Sequence, residues 1–334
     1  MNIKRLFGYI LIFIACREEL YSQHYQFSQF YAAQTYLNPA FAGANVCSRV
    51  SINYRNQWVG IPGGFTTYQL SYDHYLRNVK SGIGFLMFSD KAGAGSLKTT
   101  QFSMQYAYEV KLSKEFMGRG GISFGGVQRS IDFNALTFGD QIARGGASSS
   151  VEHLPGDRIM YFDLGTGVLL YSKTYWAGFS ASHINNPNQS LLDGLSPLPP
   201  EFKLHGGYRY TIYESSGNSK DINAVTFAFN YKKQRAFNQF DLGVYYSKNY
   251  LVIGMWYRGI PFYKPRSGYR NNDALIFLFG VAVDKFKIGY SYDYTISKLS
   301  NANSLGSHEI SMSYQFCSPK KKRQKRILIS CPKF

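Results

Sequence analysis

The side chains able to do chemistry are few and scattered. Six histidines, His24, His74, His153, His183, His205 and His308, lie far apart, and none sits at ligand spacing from another His or Cys. No GxSxG, P-loop or HExxH pattern occurs. In a membrane barrel, His205 or His308 could act as the base of a Ser–His hydrolase, provided a serine lies within hydrogen-bond reach at one rim. A histidine in a polar lumen or at the membrane interface is the simpler reading. Catalytic residues, a metal site and a cofactor are therefore not expected. Of the four cysteines, Cys16 falls in the N-terminal apolar run, leaving Cys47, Cys317 and Cys331. Cys47 and Cys317 could form a disulfide or remain free thiols, with Cys317–Cys331 as the competing pair.

The elements that would position these residues are strands. From His308 to Phe316, His308, Ile310, Met312, Tyr314 and Phe316 alternate with Glu309, Ser311, Ser313 and Gln315. The same period of two runs from Phe286 to Tyr294, from Phe102 to Leu112 and from Thr66 to His74. Helical spacing would not sort these residues by parity. Fourteen such segments lie near 46–57, 66–74, 81–89, 99–112, 116–132, 159–171, 175–182, 201–213, 224–232, 239–247, 250–257, 274–283, 286–294 and 308–316. Segments 250–257 and 274–283 are apolar on both parities.

The links alternate in length. Short ones include Ser113–Glu115, Ser172–Thr174, Lys248–Asn249 and Asp284–Lys285, and only Glu214–Asn223 is long on this side. Long ones are expected at Asp90–Lys98, Phe133–Arg158, His183–Pro200, Gly259–Asp273 and Ile296–Ser307. The pattern predicts an all-β transmembrane antiparallel barrel of about 14 strands (12–16), with short periplasmic turns and longer extracellular loops. A soluble β-sandwich would not need this alternation of loop length. In a closed even-stranded barrel Cys47 and Cys317 would flank neighbouring strands at the periplasmic end.

Composition agrees. Aromatic and charged residues are each 17% of the 334-residue chain, and the mean hydropathy is −0.25. A helical membrane protein would be far more apolar, and no interior run approaches the ~20 apolar residues a spanning helix needs. Lys4 and Arg5 precede an apolar run from Leu6 to Cys16, the layout of a signal peptide, expected over 1–22. A lipoprotein signal ending at Phe13-Ile14-Ala15-Cys16 is the competing reading. An N-terminal periplasmic or plug segment would then cover 23–45, the barrel 46–316 and a basic tail 317–334. The formal net charge of +17 is partly concentrated in that tail, where Lys320 to Arg326 reads KKKRQKR. A solvated tail is the plain reading, contact with acidic lipid head groups the sharper one. Nucleic acid is not an expected partner of an exported chain.

Several segments together resemble one family. They are Gln26-Phe27-Ser28-Gln29-Phe30, Leu37-Asn38-Pro39-Ala40-Phe41-Ala42-Gly43, Tyr54-Arg55-Asn56-Gln57-Trp58, Leu136-Thr137-Phe138-Gly139-Asp140, Asp163-Leu164-Gly165-Thr166-Gly167, Gly289-Tyr290-Ser291-Tyr292-Asp293-Tyr294 and Ser307-His308-Glu309-Ile310-Ser311. In this order they resemble the PorP/SprF family of type IX secretion system membrane proteins from Bacteroidetes. The basic extension after Phe316 departs from the family's usual ending. The resemblance implies a non-enzymatic outer-membrane protein without cofactor. Such a protein would export, or anchor at the cell surface, a large protein such as a gliding-motility adhesin. Its partners would be a secreted protein with a type IX C-terminal signal domain, other secretion components and outer-membrane lipids. Motif or docking candidates are Asn38, Pro39, Arg55, Gln57, Trp58, Phe138, Gly139, Asp140 and His183. Loops 133–158 and 183–200 would form the docking face. A diffusion porin or a transporter of hydrophobic compounds is the alternative, since one barrel fold serves many functions.

Overall fold

The structure is a computed structural model that describes residues 26–45, 47–93, 95–146, 148, 150–151, 156–191, 194–214, 222–261 and 271–317. The expected signal peptide, the Cys16 lipid site, His24, His153, Cys331 and the basic tail lie outside the described residues.

Fourteen antiparallel strands close into one barrel. They are β1 (Ser48–Gln57), β2 (Phe65–Leu76), β3 (Ser81–Ala92), β4 (Leu97–Lys111), β5 (Met117–Ser130), β6 (Arg158–Tyr171) and β7 (Tyr175–Ser182), followed by β8 (Glu201–Glu214), β9 (Ile222–Gln234), β10 (Phe237–Lys248), β11 (Leu251–Gly259), β12 (Asn272–Val283), β13 (Phe286–Thr295) and β14 (Ser307–Phe316). Each strand pairs with its sequence neighbours, and β1 pairs with β14 to close the ring. No described helix is long and apolar enough to cross a membrane.

Parity sorts the side chains as the sequence pattern requires. On β2, Tyr68, Leu70 and Tyr72 are exposed on the outer surface, while Gln69, Ser71 and Asp73 are buried inside. The wall is thus apolar outside and polar inside, the arrangement a barrel adopts when its exterior meets lipid. β11 and β12 depart from it, because their inner positions Val252, Trp256, Ala274, Ile276 and Leu278 are apolar and buried. These form a core inside the barrel with Phe30, Tyr31, Leu37 and Phe41 of the N-terminal segment.

One link differs from expectation. The stretch 90–98 is mostly strand, with Asp90 facing Thr99 and Lys91 facing Lys98. The ladder runs up to Ala92 opposite Leu97, and beyond it Gly93 and Ser96 adopt positive φ angles of 74° and 49°. A glycine at such a φ lets the ladder continue to a tight reversal.

The seam is held twice. All ten residues of β1 pair with β14, from Ser48 opposite Phe316 to Gln57 opposite Ser307. Just beyond its end Cys47 and Cys317 form a disulfide, with Cα atoms 4.7 Å apart and 270 residues between them in sequence. Non-reducing peptide mapping should recover the Cys47 and Cys317 peptides as one linked species. Cys317→Ser should still give a closed, heat-modifiable barrel, with unfolding stability lowered by about 2–4 kcal/mol. Recovery of Cys317 linked to Cys331 would contradict the pairing.

Candidate functional site

Residues 26–45 lie inside the barrel as a folded plug. A short helix α1 (Gln34–Leu37) leads into a 3-10 turn at Pro39–Phe41. Asn38 joins the two and accepts a hydrogen bond from Ala40 N at its own Oδ1. Its Nδ2 lies within hydrogen-bond reach of Val168 O, Phe179 O and His205 Nε2, at 3.0, 3.1 and 3.2 Å. Its backbone N–H ends the helix on Gln34 O, while its side chain starts the turn and ties the plug to β6, β7 and β8. The approach is so close that a Cβ on Gly167 would sit 2.1 Å from Asn38 Oδ1, and one on Gly121 would sit 2.4 Å from Ala40 N. Only glycine fits at these two wall positions. Pro39 supplies the fixed φ that suits the first position of the turn.

Aromatic packing holds one side of the plug. The Phe30 ring meets Trp256 edge-on at 4.8 Å, Tyr31 meets Trp176 at 5.7 Å, and Phe41 stacks on His205 at 5.5 Å. Each fully buried ring of this size contributes about 1.5–3 kcal/mol.

Charge holds the other side. Arg55 reaches Asp293 at 2.8 Å and Glu309 at 3.4 Å. Arg258 reaches Asp293 at 3.0 Å and Asp241 at 3.1 Å. Ser28 stands between them. Its hydroxyl donates to Asp293 and accepts from both Arg55 and Arg258, at 2.6, 2.6 and 2.8 Å. Glu309 accepts the backbone N–H groups of Ser28 and Gln29 at 2.6 and 3.1 Å. The Gln29 side chain completes the join, donating to Ser291 Oγ and accepting from Ser311 Oγ. Four motifs that are far apart in sequence thus converge here. Ser28 and Gln29 come from the first, Arg55 from the YRNQW segment, Ser291 and Asp293 from the strand β13 segment, and Glu309 and Ser311 from the final strand.

The site candidates separate into two groups. Asn38, Pro39, Arg55 and His183 are buried. His183 pairs with Asp163 at 2.8 Å under the loop end, rather than facing outward. At the rim, Gln57 Oε1 accepts from Arg55 at 3.4 Å, and Trp58 packs edge-on against Phe65. Phe138, Gly139 and Asp140 lie in loop 131–157. There Phe138 N-caps helix α2 (Gly139–Ala143), and its ring lies near Phe133. Ser28, Gln29, Asp241, Arg258, Asp293 and Glu309 were not among the candidates. Their signal is an ionisable or amide side chain on the inward parity of a strand, or within a motif preceding the first strand.

Among the described residues neither proposed catalytic histidine has a serine partner. His205 contacts the plug, and His308 bonds Tyr290 Oη at 2.8 Å on the outer surface. A Ser–His pair does exist at the other rim, Ser48 Oγ with His74 Nδ1 at 2.7 Å. Among the described residues no carboxylate orients that ring, and the pair faces outward beside the disulfide.

Loop 131–157 has its own anchor. Asp140 accepts the Val151 N–H at 2.9 Å and the Ser150 hydroxyl at 2.7 Å, and pairs with Arg144. The Val151 N–H first, then the Ser150 hydroxyl and Arg144, hold its carboxyl down at a pKa of about 2. A depressed folded pKa means the ordering is complete above the ordinary Asp range near 4 and is lost as pH falls through about 2. Asp140 carboxyl NMR should therefore titrate near pH 2, and Asp140→Asn should speed amide exchange at Val151 at neutral pH. Inside the barrel, Arg55→Leu leaves Asp293 and Glu309 short of a counter-charge and should lower stability by about 3–5 kcal/mol. Ser28→Ala should cost about 1–3 kcal/mol, read by denaturant unfolding in detergent.

The structure of the P. putida toluene transporter TodX shares 12% identity at a TM-score of 0.46, over 84% of this chain and 93% of that one. A mutant of the Rh. blastica porin shares 9% identity at a TM-score of 0.33, over 81% and 99%. No curated protein matches the chain. The profile of the family described as type IX secretion system membrane protein PorP/SprF matches residues 19–314. The match spans the plug and all the strands that anchor it, and the chain belongs to that family: a fourteen-stranded outer-membrane barrel of the type IX secretion system.

Proposed function

We propose that this barrel works as a non-enzymatic docking component. It exports, or holds at the cell surface, one large secreted protein, of which a gliding-motility adhesin is the expected kind. The observation that carries this reading is the plug. Residues 26–45 lie within the lumen and are tied to the wall on one side by rings and on the other by hydrogen bonds from Ser28 and Gln29 to the buried ion-pair network. A barrel occupied in this way offers its loop face, rather than its interior, to a partner as large as a folded domain. Loops 131–157 and 183–200 present Ile142, Val151 and Leu195 there, exposed by 68%, 73% and 91%. Exposed apolar side chains on the loop face suit a protein contact. The partners would be the C-terminal module of the secreted protein, other secretion components at the periplasmic end, and lipid around the wall.

Two measurements test this against the porin and transporter reading. Affinity purification from outer membranes in mild detergent should recover a large exported protein carrying a type IX C-terminal module. Recovering no such protein across several mild detergents would overturn the proposal. In planar bilayers the intact protein should show no conductance steps, and a variant lacking residues 26–43 should show them. Steady conductance by the intact protein would favour the porin instead.

A further inference from the structure

The barrel wall has a step. β5 pairs with β6 along its whole length, up to Ser130 opposite Arg158. On the other flank the ladder stops early, at Gly165 opposite Ser182. Residues 158–164 of β6 therefore rise above their neighbour β7. Beyond Ser182 the chain does not continue the wall. Loop 183–200 turns over the mouth, where Gln189 meets Arg129 of β5, Gln234 donates to Pro199 O at 3.0 Å, and Leu198 is buried.

Only part of the raised edge is covered. Ile184 N donates to Leu164 O at 3.1 Å. The Asn185 side chain accepts from Leu164 N at 3.1 Å and donates to Phe162 O at 2.7 Å. Even-numbered residues of β6 thus aim their backbone groups at the β7 side, and odd-numbered ones aim at β5, as Ile131 N to Asp157 O shows. By that alternation the N–H of Phe162, and both the N–H and the C=O of Met160, point out of the edge. Among the described residues none of them has a partner. The side chains of Met160 and Phe162 beside them are 70% and 53% exposed. A free sheet edge is a template for another strand, and apolar surroundings raise the cost of leaving its groups unpaired. Most barrels leave no such edge, because closure uses it up.

We propose that the β6 edge at Met160–Phe162 is a strand-addition site. An extended segment of the exported protein pairs there, held between loops 131–157 and 183–200. The chemistry selects the occupant. Alternating N–H and C=O groups at strand spacing match an extended backbone, and the flanking Met160 and Phe162 side chains match apolar residues on it. This inference rests on the docking reading above and adds the mode of contact to it.

The probe is the isolated C-terminal module of a surface protein exported by type IX secretion in the same cells, titrated against the detergent-solubilised full-length barrel. Phe162→Pro removes the edge-facing N–H but no bond to β5, and edge positions tolerate proline. It should weaken binding by about tenfold or more, while Phe162→Ala, which keeps the N–H, should change it far less. Heat-modifiable migration on gels checks that both variants fold. A measurement without substitution runs beside them: the amides of Met160 and Phe162 should exchange fast in the barrel alone and become protected when the module is added. Suppose Phe162→Pro binds like wild type and those amides stay unprotected, while Ile142→Asp with Leu195→Asp weakens binding. Then strand addition is wrong and loop docking stands. If the module binds neither wild type nor any variant, the docking reading fails and takes the inference with it.

Discussion

The structure depends on one buried hydroxyl. Ser28 stands between two guanidiniums, Arg55 and Arg258, and the carboxylate of Asp293, and uses its one donor and both lone pairs. Neither arginine could stay dry without its acids, because an unpaired charge in this setting costs several kcal/mol. Nor could the acids stay without the arginines. The groups come from β1, β10, β11, β13 and β14, so the network forms only after both ends of the chain have met. Plug placement and seam closure are therefore coupled. Glu309 makes the link direct: it faces Arg55 across the closing ladder and also receives the plug's backbone. The disulfide locks the same seam at the opposite end.

That coupling bears on function. An interior bound this tightly on one side by charge and on the other by Trp256, Trp176 and His205 has little freedom to open and close with each passing solute. At the loop end the wall is built unevenly: β4, β5 and β6 rise together, while β7 is only eight residues long. The loop that could have lengthened β7 is spent on covering the mouth.

Much of this was legible in the sequence, and the reason is geometric. A strand in a closed barrel has one side toward lipid and one toward the lumen, so period two marks it, and all fourteen segments were visible. The stretch 90–98 misled because Asp90, Lys91 and Lys98 look like loop residues. They are the polar end of the β3–β4 hairpin, paired up to Ala92 opposite Leu97. The doubly apolar segments 250–257 and 274–283 had no explanation in a bare barrel. They have one once Phe30 and Tyr31 are found inside. Alternation says which way Arg55, Asp293 and Glu309 point, but not what lies across the lumen. Distance across a barrel interior leaves no mark in local sequence, so the site stayed hidden while its members were in view. The same limit hid the partner of His183, a motif or docking candidate whose buried ring lies against Asp163.

Covering the mouth and finishing the wall compete for the same loop. Residues 183–200 must leave Ser182 either upward along β6 or inward across the plug. Asn185 marks the divergence. Its amide imitates one more backbone step for Leu164 and Phe162, and then the chain departs toward Arg129. A side chain can mimic one peptide group but not a strand, so the imitation stops at Phe162 O and leaves Met160 bare. Closing the barrel from above thus creates the opening at its side. The plug argues in the same direction. With the lumen occupied, the incomplete wall at β6 is a place where a partner strand can gain backbone hydrogen bonds from this barrel.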